Sequence, residues 1–264
     1  MCRKIVITSG KGGVGKTTLV AYLGAALARA NLKVLLMDTD IGLNNLDVVC
    51  GVENKIVYDI VDVIEGRCRA KQALIQINEL PHLYILPSVH SYDKSAVSGQ
   101  NIKMVIERLS DSFDYILIDC PAGIERGFHR SVGAAAEAIV VVTPNISSIR
   151  DADKVIQLLK TYELAQIYLI INRVRGDLIV RGENLPVSEI VELLKIPLIG
   201  VIPEDDEVSI HAGLGKLIKE NSVTQKAMNI LAKNLDKETD EVYDCTQKYR
   251  GLIGGIRRSL RKKV

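Results

Sequence analysis

Lys4-Ile5-Val6-Ile7-Thr8-Ser9-Gly10-Lys11-Gly12-Gly13-Val14-Gly15-Lys16-Thr17-Thr18-Leu19 stands near the start of the chain, and its reading decides the fold. The apolar, β-branched run 4–9 predicts a strand, and the Ala/Leu-rich stretch 16–30 predicts a helix. Between them, Gly10 to Thr17 meets the pattern G-x-x-x-x-G-K-S/T at every fixed position. Glycines let backbone N–H groups turn inward around an anion, at the positive end of the following helix. That chemistry assigns Gly10, Lys11, Gly12, Gly13, Val14, Gly15, Lys16, Thr17 and Thr18 to a nucleotide's phosphates. Lys16 is expected to reach the β- and γ-phosphates, and the Thr17 hydroxyl to ligate Mg²⁺.

Working outward, short apolar runs at 33–37, 83–87, 115–119, 138–143, 167–172 and 198–203 predict further strands. Helical patterns fall at 100–110, 151–162, 187–194 and 223–235. Several strands are apolar throughout, as central parallel strands covered on both faces must be. The alternation predicts a doubly wound α/β domain, a mostly parallel sheet flanked by helices, over residues 1–240. Residues 241–264 read as a flexible linker and a basic tail.

Two of these strands end in carboxylates. Asp38 and Asp40 close the second, and Asp119 follows the apolar run 115–118 in the manner of a Walker B strand. A carboxylate just past the C-terminal end of a parallel strand lies where α/β sheets bind ligands, so Asp119 is a candidate Mg²⁺ ligand. Helix capping or turn formation is the competing reading for each aspartate.

Bulk composition narrows the classes. The 264 residues are 47% apolar and 25% charged, and no apolar run approaches the ~20 residues of a spanning helix. Five scattered cysteines form no C-x-x-C pair, which indicates neither a zinc site nor a disulfide framework. From Met1 the sequence enters a strand with no leader pattern, so the expected compartment is the one that makes the protein. Net charge is +2, but residues 248–264 carry seven Lys or Arg and no acid. The remainder holds 27 basic against 32 acidic side chains, a body of net charge −5. That sign argues against nucleic acid as a partner of the body, whereas the tail suits an anionic surface.

Lys11 is not required by the generic loop. The run from Lys11 to Thr18 resembles the deviant Walker A signature of the MinD/ParA ATPases. The resemblance implies ATP and Mg²⁺ as cofactors, a homodimer when ATP is bound, and slow Mg²⁺-dependent hydrolysis. It implies that Lys11 crosses the dimer interface to the partner's nucleotide and acts with Lys16 in catalysis, like an arginine finger. Asp40 would lie in switch I, orienting the attacking water or acting as base and contributing to the Mg²⁺ site. Asp38 would be structural. The Asp119–Glu125 stretch, residues 41–47, residues 57–60 and residues 147–153 are similar to the family's septum-site-determining branch. There the last stretch lies where partners dock, which makes Asp151 and Asp153 candidate contacts; a place among the first acids of a helix explains them equally. Asn145 stands where that branch usually carries an acid. Asn172 and Pro203 resemble the family's adenine-binding edge, although Asn172 could equally form a turn.

Written on a helix, Tyr249, Leu252, Ile253, Ile256 and Leu260 make one apolar stripe opposite a purely basic face. This is the pattern of a helix lying on an anionic membrane, and Gly251, Gly254 and Gly255 weaken it in water. By resemblance, the expected role is placement of the division site. A MinC-like inhibitor of the division ring would be recruited to the membrane, and a MinE-like or other topological factor would stimulate the ATPase. The expected location is the cytoplasm, or the stroma of a plastid, reversibly peripheral on the inner membrane face. The rivals are a ParA-type DNA-partition ATPase and a nucleotide-gated membrane scaffold with little turnover.

Overall fold

β1 (Arg3–Thr8) runs into the glycine-rich loop and α1 (Lys16–Arg29) leaves it. The computed structural model describes residues 2–40, 45–88, 97–217 and 221–251. After α1 come β2 (Val34–Asp38), the short helices α2 (Leu46–Val49) and α3 (Ile60–Ile64), β3 (Ile75–Ile77) and β4 (Leu80–Leu86). Next are α4 (Gly99–Ser110), β5 (Tyr115–Asp119), α5 (Arg126–Val132), β6 (Glu137–Val142), α6 (Ile146–Leu159) and β7 (Gln166–Val174). Then follow α7 (Gly176–Val180), α8 (Val187–Leu194), β8 (Leu198–Pro203), α9 (Asp206–Gly213) and α10 (Val223–Lys237).

The described strands form one sheet in the order β3-β4-β2-β5-β1-β6-β7-β8. Every neighbouring pair is parallel except β3 with β4. From β1 the chain crosses to β2 and β4 on one side, returns at β5 beside β1, and then crosses to β6, β7 and β8 on the other. The loop after β1 therefore lies at the switch point, where a crevice opens beyond the strand ends. The sheet is buried on both faces. Val6, Leu35, Ile116 and Val140 join the core under α4, α5 and α6, while their neighbours Ile5, Leu36, Leu117 and Ile139 join the core under α1 and α10. Strand periodicity explains this division, because successive side chains point to opposite faces. Full burial of each such side chain contributes about 1.5–3 kcal/mol.

The expected strands and longer helices are present with shifted ends. α6 differs most, starting at Ile146 and not at 151. Asn145 caps it by accepting from the Ser147 N–H at 2.9 Å, so the Ser-rich start is its first turn. The short elements β3, α2, α3, α5, α7 and α9 were not predicted.

The largest departure lies at the C-terminal end. Of residues 241–264, read as a flexible linker and basic tail, the described part is anchored on the domain at Cys245 and Tyr249. The Asn234 amide donates to the Ile199 carbonyl at 2.9 Å and to the Glu241 carbonyl at 2.6 Å. Cys245 is buried, and the backbone there lies so close to Gly176 that a Cβ on Gly176 would overlap the Cys245 carbonyl. Tyr249, expected on the membrane-facing stripe, lies in a 3-10 turn (Gln247–Tyr249) and is only 4% exposed. Residues 241–250 thus lie as a strap on the domain, with the Tyr249 ring shut from solvent. Leu252, Ile253, Ile256 and Leu260 lie outside the described residues. Gly176→Ala is therefore expected to destabilise the protein by about 1–3 kcal/mol through overpacking. It should also expose residues 241–250 to limited proteolysis. An unchanged thermal midpoint and digest would refute this seat.

Candidate functional site

Glycine geometry shapes the loop. Gly13 (φ 78°) and Gly15 (φ 87°) adopt left-handed backbone that a side chain would strain. At Gly15 a Cβ would also stand 2.7 Å from the Asn172 amide nitrogen. That nitrogen donates to the Val14 carbonyl at 2.8 Å, so the end of β7 braces the loop directly. The loop's other flank is braced by α6, whose backbone at Asp151 occupies the space a Cβ on Gly10 would need.

The two loop lysines have different surroundings. Lys16 is nearly buried, with Nζ 3.4 Å from Asp119 Oδ1. Lys11 is exposed, and its ammonium donates to Ser147 Oγ at 3.2 Å. Ser147 was not singled out from the sequence, since only the fold brings the start of α6 to the loop.

Beneath the loop, Asp38 and Asp119 are register partners on adjacent strands, and each is 2% exposed. Asp38 accepts from the backbone N–H of Asp40 at 2.8 Å and of Leu46 at 3.4 Å. This fits the structural role implied for it. Burial, and then the charge of Asp119, push the Asp38 carboxyl up to about 8. Burial likewise raises Asp119, opposed by the Lys16 ammonium and by hydrogen bonds from Thr17 and Lys16. Thr39 donates to the Asp119 carbonyl at 2.6 Å and contacts Ser131 Oγ at 2.8 Å, which fixes the strand ends. Asp40 follows at the rim, half-buried.

Buried Asp119 with the Thr17 hydroxyl beside it, and Asp40 at the rim, form an oxygen donor set suited to Mg²⁺. The loop, with Lys16 at its base, suits a polyphosphate. An open cleft adjoins it, bordered by Gly15, Thr18, Asn172, Arg173 and Pro203. Asn172 and Pro203 thus border a cleft beside the loop, with the Asn172 nitrogen already committed to the Val14 carbonyl.

Asp151 and Asp153 lie beyond the first turn of α6, which contains no acid, so helix-dipole placement does not account for them. Asp151 Oδ1 is 3.5 Å from Lys154 Nζ, and Asp153 is exposed.

A raised carboxyl makes stability depend on pH. Without nucleotide or metal, burial keeps the Asp38 carboxyl protonated to higher pH in the folded state than in the unfolded chain, whose pKa is near 3.8. Stability therefore falls as pH rises above the unfolded value near 3.8 toward the raised folded value, and levels off beyond it. The prediction concerns the difference in unfolding free energy between the native chain and Asp38→Asn, followed from pH 5.5 to 8.5. A flat difference would contradict it.

Residues 5–218 match the family described as "CobQ/CobB/MinD/ParA nucleotide binding domain". The septum site-determining protein MinD of Synechocystis sp. is 44% identical over 263 residues, covering 98% of this chain and 99% of that protein. The chain belongs to the MinD family. Its fold agrees with MinD in the MinC:MinD cell division protein complex of Aquifex aeolicus, with TM-score 0.85 and 42% identity over 92% of this chain and 98% of that one. MinD of Pyrococcus horikoshii, solved with Mg-ADP, superposes with TM-score 0.82 at 33% identity, covering 90% and 97%. Family membership makes the chain a septum site-determining protein of the P-loop NTPase class. Among the described residues, no helix is long and apolar enough to cross a membrane.

Proposed function

We propose that the chain is an ATP-dependent, dimerising ATPase that binds the membrane reversibly through its basic C-terminal tail and holds an inhibitor of division-ring assembly there. The observation that carries this reading is the contrast between the two loop lysines. Lys16 is fixed on Asp119, whereas Lys11 stands exposed on the outer lip of the loop. A partner subunit's nucleotide can be reached only from such a position. Exposed Ile124, which follows a glycine bonded to Ser9, and exposed Ile146, beside the Lys11 contact Ser147, supply apolar surface for that partner.

In the dimer, Lys16 draws off charge from the nucleotide's own subunit and Lys11 from across the interface. Asp40 orients the attacking water and accepts its proton. Thr17, Asp40 and Asp119 would hold Mg²⁺, which when bound neutralises charge on the β- and γ-phosphates. Asn172 keeps the loop in shape, and the cleft bordered by Asn172 and Pro203 takes the adenine. Asp151 and Asp153 offer a partner surface beside the loop. The complex of the Aquifex relative with MinC supports a MinC-like inhibitor as one partner. A MinE-like or other topological factor is the expected stimulator. The Mg-ADP in the Pyrococcus relative supports the cofactor assignment. The tail resembles a membrane-targeting sequence, and two such tails on one dimer bind together more tightly than one.

Co-sedimentation with anionic vesicles, and separately with plasmid DNA, in ATP and in ADP tests this reading, with phosphate release measured in the same tubes. ATP-dependent vesicle binding with release of phosphate is expected. DNA binding in its place would favour a partition ATPase, and vesicle binding without phosphate release a scaffold.

A further inference from the structure

A shallow groove lies between α3, the 3-10 turn at Ala70–Gln72 and the last turn of α4, remote from the phosphate loop in the topology. Its floor is apolar, with Val63 and Leu109 buried and Cys68 half-buried. Its rim carries Arg69, Lys71 and Arg108, all exposed and none in an ion pair among the described residues. Arg67 on the same segment is different, being occupied by Asp62 and Glu65. The site is locally cationic on a body whose net charge is −5, so its sign is not an average property of the surface.

We propose that this groove is a docking surface for an acidic amphipathic segment of a partner protein. The partner's apolar face meets half-buried Cys68 and Ala70, beneath which Val63 and Leu109 are packed, and its carboxylates meet the three rim cations. A phosphate backbone offers no apolar side chains for such a floor, and an extended polyanion meets the negative body around it. A bilayer held by the tail engages another part of the molecule. The strap leading to the tail is seated at Gly176, after the C-terminal end of β7, whereas the end of α4 leads into the start of β5. The groove therefore lies at the opposite end of the strands from the strap, and it is separate from the surface formed by Asp151 and Asp153.

Cys68 provides a reporter inside the groove. The test is thiol alkylation of the full-length protein, read cysteine by cysteine by mass spectrometry. It uses two synthetic helical peptides with identical apolar positions, one with a glutamate polar face and the other with a lysine face. The glutamate peptide is expected to slow labelling of Cys68 at least about fivefold, leave half-buried Cys2 unchanged, and lose its effect at high salt. The lysine peptide is expected to do nothing. Arg69→Glu combined with Arg108→Glu is expected to weaken the glutamate peptide about tenfold or more, with phosphate release unchanged. Unchanged Cys68 labelling, equal protection by both peptides, or protection that survives the double substitution would overturn the proposal. So would protection by anionic vesicles or by duplex DNA in place of the peptide. The comparison of peptides needs no variant, so a misfolded double substitution leaves it decisive.

Discussion

Lys11→Ala is expected to lower ATP turnover by about a thousandfold, the scale of a transition-state cation supplied across an interface. Nucleotide binding to the isolated subunit changes little, because Lys16 and the loop amides remain. The sharper expectation comes from mixing. Asp40→Ala removes the group that handles the attacking water, and it too is expected to be nearly inactive. In a heterodimer of the two variants, the subunit with intact Asp40 receives an intact Lys11 from its partner. If half of the dimers are mixed and each has one working site, the mixture recovers on the order of a quarter of native turnover. No monomeric enzyme behaves this way. If the mixture stays as inactive as its components, Lys11 does not act in trans.

Ending the chain after Gly251 is expected to abolish ATP-dependent binding to anionic vesicles, a loss of at least about a hundredfold when two tails act through effective concentration. Turnover in solution and the thermal midpoint should match the full chain. The position of the cut matters because of the strap. A chain ending at Gln247 also removes Tyr249 from its buried seat, with an expected cost of about 3 kcal/mol. Loss of vesicle binding in that shorter chain would mix anchoring with damage to the fold. Undiminished sedimentation of the chain ending at Gly251 would show that the anchor lies elsewhere.

Much of the fold is legible in the sequence because long-period signals are strong there. Short β-branched apolar runs such as 115–118, closed by Asp119, read as strands covered on both sides, and the glycine loop fixes which strand ends face the crevice. The elements missed are short. α2, α3 and α7 span four or five residues each, too few for a helical period to repeat. β3 has three residues and pairs antiparallel at the edge. At the site, composition identifies the loop and the carboxylates, but nothing local tells Asn172 the adenine contact from Asn172 the brace of Val14. That distinction depends on a hydrogen bond across 158 residues. Tyr249 misled for a related reason. Its helical spacing with Leu252 and Ile256 is real, and the seat that takes it out of the stripe is made by distant residues.

Gly10 has a mechanical consequence. With no side chain there, the backbone of α6 at Asp151 presses straight onto the first turn of the loop. Seat and helix form a lever with a very short arm. A protein that gripped the exposed side of α6 near Asp153 would press on the loop's backbone without reaching into the crevice.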